Sequence, residues 1–453
     1  LVNTPDPSTA LLNRFYTLEF FQEAQAILKS EGVLAASVSS AVTYIGEEVG
    51  SYTGSLYRTL HEAFQNVLVT PGQTNFYFAC NKEGVITPDI ATLMERYRKF
   101  QIKSEYFTEF LFYTLLQPEQ VEFIERQLSQ RKDLLVNTDA RPVTYFLNLV
   151  LWDSLTGGRL HGLFYGLKGA GLKSFLIPIM IALAGRIIYV SLRQFKLRRE
   201  YERHGVISQC QVKNRCPPSD LKTHCLIALA TTGFTGIALE IVLLYAFQNI
   251  YGYIYERMGV IVAIFMVGLA LGGYFANRII KKVDGRLLLL TANFNAKECH
   301  GQTGLPVPCE PTQSPTGVGS YQWVNVLMIF EGIIAFYALI LPFLVHELSY
   351  YSAAVEVGLI FFIGIAGILT GVEFPLVNKI FIQQNRDIAI SAGATDGADH
   401  IGAFSGALLT GVILLPLLGV FGACLILATL NIASLVLIAF SDMCRKRSNF
   451  WRG

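Results

Sequence analysis

Residues 231–277 read TTGFTGIALEIVLLYAFQNIYGYIYERMGVIVAIFMVGLALGGYFAN and contain two apolar runs joined by a short polar corner at Tyr253–Arg257. Each run is roughly 20 residues long, which an α-helix needs to cross the hydrocarbon core of a bilayer, about 30 Å thick. A soluble domain has no use for two such runs side by side. The sequence therefore predicts a membrane protein whose first partner is the lipid bilayer.

The composition supports the same class. Of 453 residues, 52% are hydrophobic and only 15% are charged, whereas soluble proteins usually carry about 25% charged residues. The deficit lies in residues 224–441, while residues 1–150 have the composition of an ordinary globular segment. The net charge of +2 gives no reason to expect a nucleic-acid partner.

The apolar runs predict an all-α polytopic membrane domain over residues 224–441, followed by a basic tail over 442–453. Its six predicted spans are 224–247, 257–276, 324–346, 354–371, 400–418 and 420–441. Lys and Arg concentrate in the loops 277–323 and 372–399 and in the tail, which predicts that these lie in the cytoplasm.

Residues 153–223 are predicted to connect the soluble and membrane parts. A glycine-rich linker over 153–172 precedes an apolar segment, Phe175–Leu192, which contains Pro178 and Arg186, and then a basic loop. A spanning segment here would place the soluble part outside the cell. We therefore expect an interfacial or re-entrant segment, with the soluble part in the cytoplasm and the protein in the cell inner membrane.

The soluble part alternates strand and helix patterns. The turn Asn3–Thr9 (NTPDPST) is followed by a helix containing Phe20 and Phe21, a strand at GVLAASVSS, a helix over Ser51–Val67 and a strand at Asn75–Cys80. Later residues predict surface helices over Ile90–Phe100 and Pro118–Gln130 and a polar turn with an apolar run over Asn137–Trp152. This order is typical of a layered α/β domain, in which ligands bind at the carboxyl ends of strands.

The order of turn, Phe-Tyr-x-x-Glu-Phe-Phe helix and Gly-Val-Leu strand resembles the second half of the spermidine synthase family, over residues 1–152. The resemblance implies the C-terminal half of a Rossmann-like, S-adenosylmethionine methyltransferase-type domain. It places the family's Asp-x-x-Asp-Pro motif on Asn3, Asp6 and Pro7, and its aromatic helix on Tyr16, Glu19 and Phe20. Asn137–Tyr145 is similar to the family's C-terminal piece. Asn3 and Asp6 become the implied catalytic positions, and Asp6 and Tyr16 the implied substrate-binding residues.

Two departures from the family affect this expectation. Asn3 stands where the family has an Asp that takes protons from the attacking amine, and an amide cannot be a general base near neutral pH. The family's glycine-rich nucleotide loop would precede Asn3, where only Leu1 and Val2 stand, so we expect an upstream part to exist. A plain surface turn remains an alternative interpretation of NTPDPST.

Six acids lie in or near the apolar runs: Glu240, Glu331, Glu356, Glu373, Asp396 and Asp399. Ionisable groups are costly in a bilayer and tend to face a cavity or a partner. Glu240, Glu373, Asp396 and Asp399 are the candidates for holding a small cationic metabolite such as a polyamine. The alternative is solvation at helix ends or structural pairing with Arg186, Lys379 or His400.

Other motifs give weaker expectations. Three glycine pairs spaced by four predict close helix packing: Gly268/Gly272, Gly367/Gly371 and Gly402/Gly406. Cys210/Cys216 and Cys299/Cys309 fall as one pair in each long loop. They would form disulfides outside the cell; inside it they would be free thiols or, with His300, a weak metal candidate. Neither spacing is a zinc pattern of the CxxC type, so no metal site is predicted.

Three functions follow as hypotheses. The first is a membrane-bound spermidine synthase-like transferase that moves an aminopropyl or related group from decarboxylated S-adenosylmethionine, or a similar co-substrate, to an amine. The second is a membrane transporter or sensor of a cationic metabolite with a degenerate nucleotide-type domain. The third is a structural membrane protein without a ligand.

Overall fold

The computed structural model of the protein divides into two compact units. Unit 1 comprises Leu1–Gly171 with Gln248–Tyr253 and Val412–Val420, and unit 2 comprises the remaining chain. The structure describes residues 1–41, 45–131, 134–159, 161–204, 219–251, 255–298, 318–349, 355–385 and 388–450.

The sheet of unit 1 has three strands, β1 (Leu34–Ser39), β2 (Asn66–Val69) and β3 (Thr74–Cys80). The order is β1-β3-β2, and β3 runs antiparallel to both neighbours. Alternate residues of β1 are buried, because successive strand side chains point to opposite faces. Val2 donates its N–H to the Ala35 carbonyl (2.7 Å), so the first residues lie beside β1.

One helix, α3, forms the centre of unit 1. Its Tyr52, Leu56 and Leu60 are fully buried, and it packs against α2, α6 and α7 as well as β2 and β3. The helices of unit 1 are α1 (Ala10–Asn13), a 3-10 turn (Arg14–Tyr16), α2 (Leu18–Ile27), α3 (Glu47–Ala63), α4 (Ile90–Lys99), α5 (Leu111–Leu115), α6 (Pro118–Ser129), α7 (Val143–Leu155) and α8 (His161–Lys168).

The structure corrects several predictions for unit 1. The helix predicted over Ser51–Val67 ends at Ala63, and Val67 belongs to β2, where its side chain is buried in the sheet. Part of the predicted flexible linker is helical, because α8 contains Gly162 and Gly166. The small three-stranded sheet confirms a segment of mixed helix and strand but not a Rossmann-like domain. The surface helices α4 and α6 are confirmed.

Unit 2 is built from long helices. They are α9 (Leu172–His204), α10 (Ser219–Tyr251), α11 (Tyr255–Glu298), α12 (Val318–Ser349), α13 (Val355–Asn385), α14 (Ile388–Leu409) and α15 (Leu415–Phe450), with one π-helical turn, Thr410–Leu414, before α15. Six segments of the described chain are long and apolar enough to cross a membrane. The protein is thus a multi-pass membrane protein by the length and composition of its helices.

The boundaries of the spans differ from those predicted. Phe175–Leu192 lies inside α9, and Leu172–Lys196 of that helix is a candidate span. The segment is one continuous helix, so its backbone does not turn back as that of a re-entrant segment does. The predicted loop 372–399 is almost wholly helical, and α11 continues through Glu298 into the predicted loop 277–323. Length and apolar content located the spans, but polar helix ends were misread as loop. The two cysteine pairs lie outside the described residues.

The last candidate span, Ile388–Cys444, is broken at Gly419. Gly419 has φ +71° and ψ −178°, a conformation essentially restricted to glycine. A Cβ there would lie 2.5 Å from the Ala140 carbonyl oxygen. The break falls between the two spans predicted over 400–418 and 420–441.

The glycine pairs pack as predicted. Gly268 and Gly272 of α11 face Gly367 and Gly371 of α13, where a Cβ on any of the four would meet backbone atoms of the other helix. Gly402 and Gly406 of α14 likewise meet the backbone of α10 at Ala230 and Phe234. The missing side chains let these helix pairs approach closely.

Candidate functional site

A groove of about 650 Å³ lies at the carboxyl end of β1 in unit 1. The predicted turn forms one wall, through Thr4, Pro5, Asp6 and Ser8. Ser37 and Ser39 of β1 contribute hydroxyl groups, and Trp152 of α7, half exposed, contributes an aromatic ring. The groove thus lies where the turn meets the end of β1 and the start of its antiparallel neighbour β3.

Asp6 is the carboxylate of this groove. Its Oδ1 accepts the N–H of Ser39 at 3.0 Å, which fixes the side chain against the end of β1. Its Oδ2 makes no hydrogen bond to any side chain or backbone group in the part of the chain that the structure describes. One carboxylate oxygen therefore anchors the turn, and the other is available to a ligand.

The other predicted motif residues lie elsewhere. Asn3 is exposed and does not line the groove. Tyr16 is fully buried, with its hydroxyl 2.9 Å from the Thr4 carbonyl and 3.2 Å from the Ser37 carbonyl, and burial raises the pKa of its phenol. The Tyr16 hydroxyl thus connects the turn to β1. The prediction that it contacts substrate is therefore replaced by a role in positioning the turn.

The two segments that carry the family resemblance meet in space. Asn137 is fully buried and donates its side-chain amide to the Tyr16 carbonyl (2.9 Å), while its Oδ1 accepts the N–H of Thr144 (3.2 Å). Glu19 accepts the N–H of Asp139 (2.9 Å). These contacts hold Tyr16 and Glu19 against the segment Asn137–Tyr145.

Asp139 sits in an unfavourable environment for a charge. Burial raises the pKa of its carboxyl to about 6, and the nearby Glu19 adds to the increase. A carboxyl whose pKa is higher in the folded state than in the unfolded chain destabilises the fold when ionised. The penalty is absent below about pH 4, develops as the pH rises through 6, and is complete above it.

We expect Asp139→Asn to raise the melting temperature at pH 7.5 and to flatten its decrease between pH 5 and pH 7.5. The amide keeps the shape and one acceptor oxygen but removes the charge, which costs roughly 3 kcal/mol when ionised. Thermal melting of the purified protein in detergent measures this. Glu105→Gln, at an exposed position, is the control, and a parallel pH profile for wild type and Asp139→Asn would contradict the prediction.

The predicted membrane acids do not form one cluster. Glu373 is fully buried and Glu240 is 8% exposed, but Asp396 is exposed and lies 3.8 Å from His400 on its own helix. Asp399 lies against Gly233, where an added Cβ would be 2.6 Å from its Oδ1. Glu331, not among the four candidates, is fully buried. Its position in the apolar run VLMIFEGII was the available signal.

Other polar groups clarify the alternative interpretation of these acids. Glu356 pairs with Arg257, and Arg186 donates to His224 at 3.0 Å. Among the described residues, no three His, Cys, Asp or Glu side chains converge as they would around a metal ion. Structural pairing therefore explains Glu356, whereas the buried Glu331 and Glu373 require a different account.

Comparison with protein-family models, with curated proteins and with solved structures finds no match for this chain. The likeness to spermidine synthases therefore rests on the motif residues and stays a prediction.

Proposed function

We propose that unit 1 is a spermidine synthase-like module that binds a small organic amine, such as a polyamine, in the groove beside Asp6. The observation that supports it is the available Oδ2 of Asp6 among a ring of hydroxyl groups. A carboxylate attracts an ammonium group, and charge-assisted hydrogen bonds are about twice as strong as neutral ones.

The other lining residues fit the same class of ligand. The hydroxyls of Thr4, Ser37 and Thr74 can accept the further N–H bonds of a primary amine. Trp152 presents a ring on which an ammonium or its methylene chain can lie, as cations do over aromatic faces. A ligand with one cationic end and an apolar chain satisfies both kinds of wall.

Aminopropyl transfer is the reaction that the resemblance implies for this module. The amine nitrogen would bond to the carbon next to the sulfonium of decarboxylated S-adenosylmethionine, the carbon–sulfur bond would break to leave a thioether, and the nitrogen would lose a proton. Asn3 cannot take that proton, which leaves Asp6 as the carboxylate of the groove. Amine binding is thus the better supported part of the proposal, and transfer depends on a base at Asp6.

We also propose that the α/β segment lies outside the cytoplasm, which reverses the expectation from sequence. Within unit 1, Asn249 donates to the Asp139 carbonyl (2.8 Å) and Arg141 to the Leu417 carbonyl (2.7 Å). In the predicted topology, residues 248–253 and 412–420 lie on the side of the membrane opposite the basic loops. Leu172–Lys196 is in addition long enough to cross the membrane. An epitope inserted at the exposed Gly84 should bind antibody on spheroplasts whose inner membrane is intact. Binding only after the inner membrane is permeabilised would restore the cytoplasmic assignment.

Amine binding is tested by calorimetric titration of the purified full chain with spermidine. We expect Asp6→Asn to weaken binding by 10- to 100-fold, because a charge-assisted hydrogen bond contributes about 1.5–3 kcal/mol. Glu83→Gln, which removes an exposed carboxylate outside the groove, should bind as wild type does. The proposal fails if spermidine gives no heat with the wild type or if Asp6→Asn binds it equally well.

A further inference from the structure

Six polar side chains from four helices of unit 2 form what we call the polar ring. Each is at most 1% exposed, and each lies nine or more residues from either end of its candidate span. They are therefore deep in the part of the bundle that crosses the bilayer. The members are Thr232 and Thr235 of α10, Glu331 of α12, Glu373 of α13, and Asn431 and Ser434 of α15.

The contacts close the ring. Thr232 donates to Oε2 of Glu373 (2.5 Å), and Ser434 donates to Oε1 of Glu331 (2.6 Å). Asn431 donates to the hydroxyl of Thr235 (2.7 Å). The two members on α10, like the two on α15, are three residues apart and thus share a helix face. The Glu331 and Glu373 carboxyls are close enough to interact electrostatically.

Three oxygen atoms of the polar ring are buried without a hydrogen-bond partner in the described chain: Oε2 of Glu331, Oε1 of Glu373 and Oδ1 of Asn431. A buried polar atom without a partner is costly and therefore uncommon. All three atoms are acceptors, so the partner that they lack is a hydrogen-bond donor or a cation. One of these atoms belongs to Asn431, so the lack of hydrogen-bond partners is not limited to the two acids.

The charges around the polar ring point the same way. None of the described basic side chains is among the groups that act on either carboxyl, and the further charged group that acts on Glu373 is an acid, Asp399 of α14. The hydroxyls of α10 and α15 that bond to the two carboxyls are neutral. Two ionised carboxylates without a positive charge are not stable at this depth.

We propose that the polar ring is an occluded binding site for one monovalent cation, taken up as H⁺ or Na⁺. A proton would join one carboxyl and supply the missing donor, whereas Na⁺ would be held by the three unpartnered oxygens and adjacent hydroxyls. Either cation lowers the charge of the ionised pair from −2 to −1 and is bound by oxygen ligands alone. Two carboxyls with amide and hydroxyl oxygens do not form the nitrogen or sulfur site that transition metals prefer. This inference does not depend on amine binding in unit 1.

The test is thermal melting of the purified full chain in detergent at pH 6 and pH 9, with NaCl or choline chloride at equal ionic strength. We expect the wild type in choline to melt about 5 °C lower at pH 9 than at pH 6, because the site loses its cation. Recovery of the melting temperature at pH 9 by NaCl would identify Na⁺ as a ligand. Without recovery, a pH dependence that shrinks in the Glu331→Gln/Glu373→Gln variant would identify the proton alone, because ionisation of Asp139 also lowers the melting temperature over this range and is present in both proteins. A wild-type melting temperature that is the same in all four conditions would overturn the proposal.

Variants locate the response. The double variant Glu331→Gln/Glu373→Gln should lose the dependence on Na⁺ and keep only the smaller pH dependence that Asp139 contributes, since two neutral amides need no cation. Glu240→Gln, which changes another largely buried acid of α10 outside the polar ring, should retain it. A double variant that responds as the wild type does would refute the assignment.

A measurement on the unaltered protein covers the case in which the double variant does not fold. Dicyclohexylcarbodiimide reacts with protonated carboxyls in apolar surroundings. Peptide mass spectrometry should find Glu331 or Glu373 modified at pH 6, with less modification at pH 9. Absence of modification at both residues, while other membrane carboxyls react, would count against the site.

Discussion

Gly371→Ala is expected to destabilise the protein by about 2–3 kcal/mol and to reduce the yield of monodisperse protein. The new methyl carbon would lie 2.8 Å from the Leu269 Cα and closer still to the Leu269 carbonyl oxygen. Both are backbone atoms of α11, so no rotation of a side chain relieves the overlap. The helices must separate, and the dispersion contacts along their interface weaken with them. Melting temperature and gel-filtration profile in detergent measure the effect.

Gly364→Ala is the matched control, because it makes the same substitution two turns earlier in α13. Its methyl carbon would lie 3.6 Å from Cγ2 of Ile264, an ordinary contact. Alanine is also the better helix former by about 1 kcal/mol. We expect this variant to match or exceed the wild-type melting temperature. Equal destabilisation by both substitutions would show that close packing at Gly371 is not the cause.

Asn137→Ala is expected to lower the stability of unit 1 by about 3 kcal/mol or more. Its side chain bonds the Tyr16 carbonyl and the Thr144 N–H, and all three residues are buried. Alanine leaves both backbone groups without a partner, and each such group costs about 1–3 kcal/mol. The loss should appear as a lower melting temperature of the full chain and as faster proteolytic cleavage within residues 1–171.

Asn3→Ala supplies the comparison for Asn137→Ala. Asn3 is exposed, and a surface substitution usually changes stability by less than about 0.5 kcal/mol. We therefore expect no measurable change in melting temperature. If Asn137→Ala left the melting temperature unchanged, as is expected for Asn3→Ala, the hydrogen bonds of Asn137 would not be the contacts that hold Tyr16 against α7.

Features encoded by short spacings could be predicted from the sequence. The glycine pairs were predicted because residues four apart share one helix face, and the membrane segments because twenty apolar residues match a bilayer. The turn with Asp6 was also found, since Asp-Pro and its neighbours are strong turn formers. Strand β2 was missed because the apolar periodicity of α3 continues through Phe64 into Val67.

Features that depend on distant pairings could not be predicted. Trp152 and Thr74 line the groove only because α7 and β3 lie beside the turn, which no local pattern specifies. The same holds for the polar ring, where Thr232 and Glu373 are 141 residues apart. The sequence shows acids in apolar runs, but it does not show that Glu331, rather than Asp396, faces the inside of the bundle.

The polar ring also sets an order for biosynthesis. Thr232 is already inserted when the ribosome reaches Glu373, but Ser434 is made 103 residues after Glu331. An ionised side chain at the centre of a lone helix costs about 2.5–3.5 kcal/mol on insertion. Glu331 is therefore expected to leave the translocon as a neutral acid and to wait for α15, so the bundle cannot mature until its last helix has been synthesised.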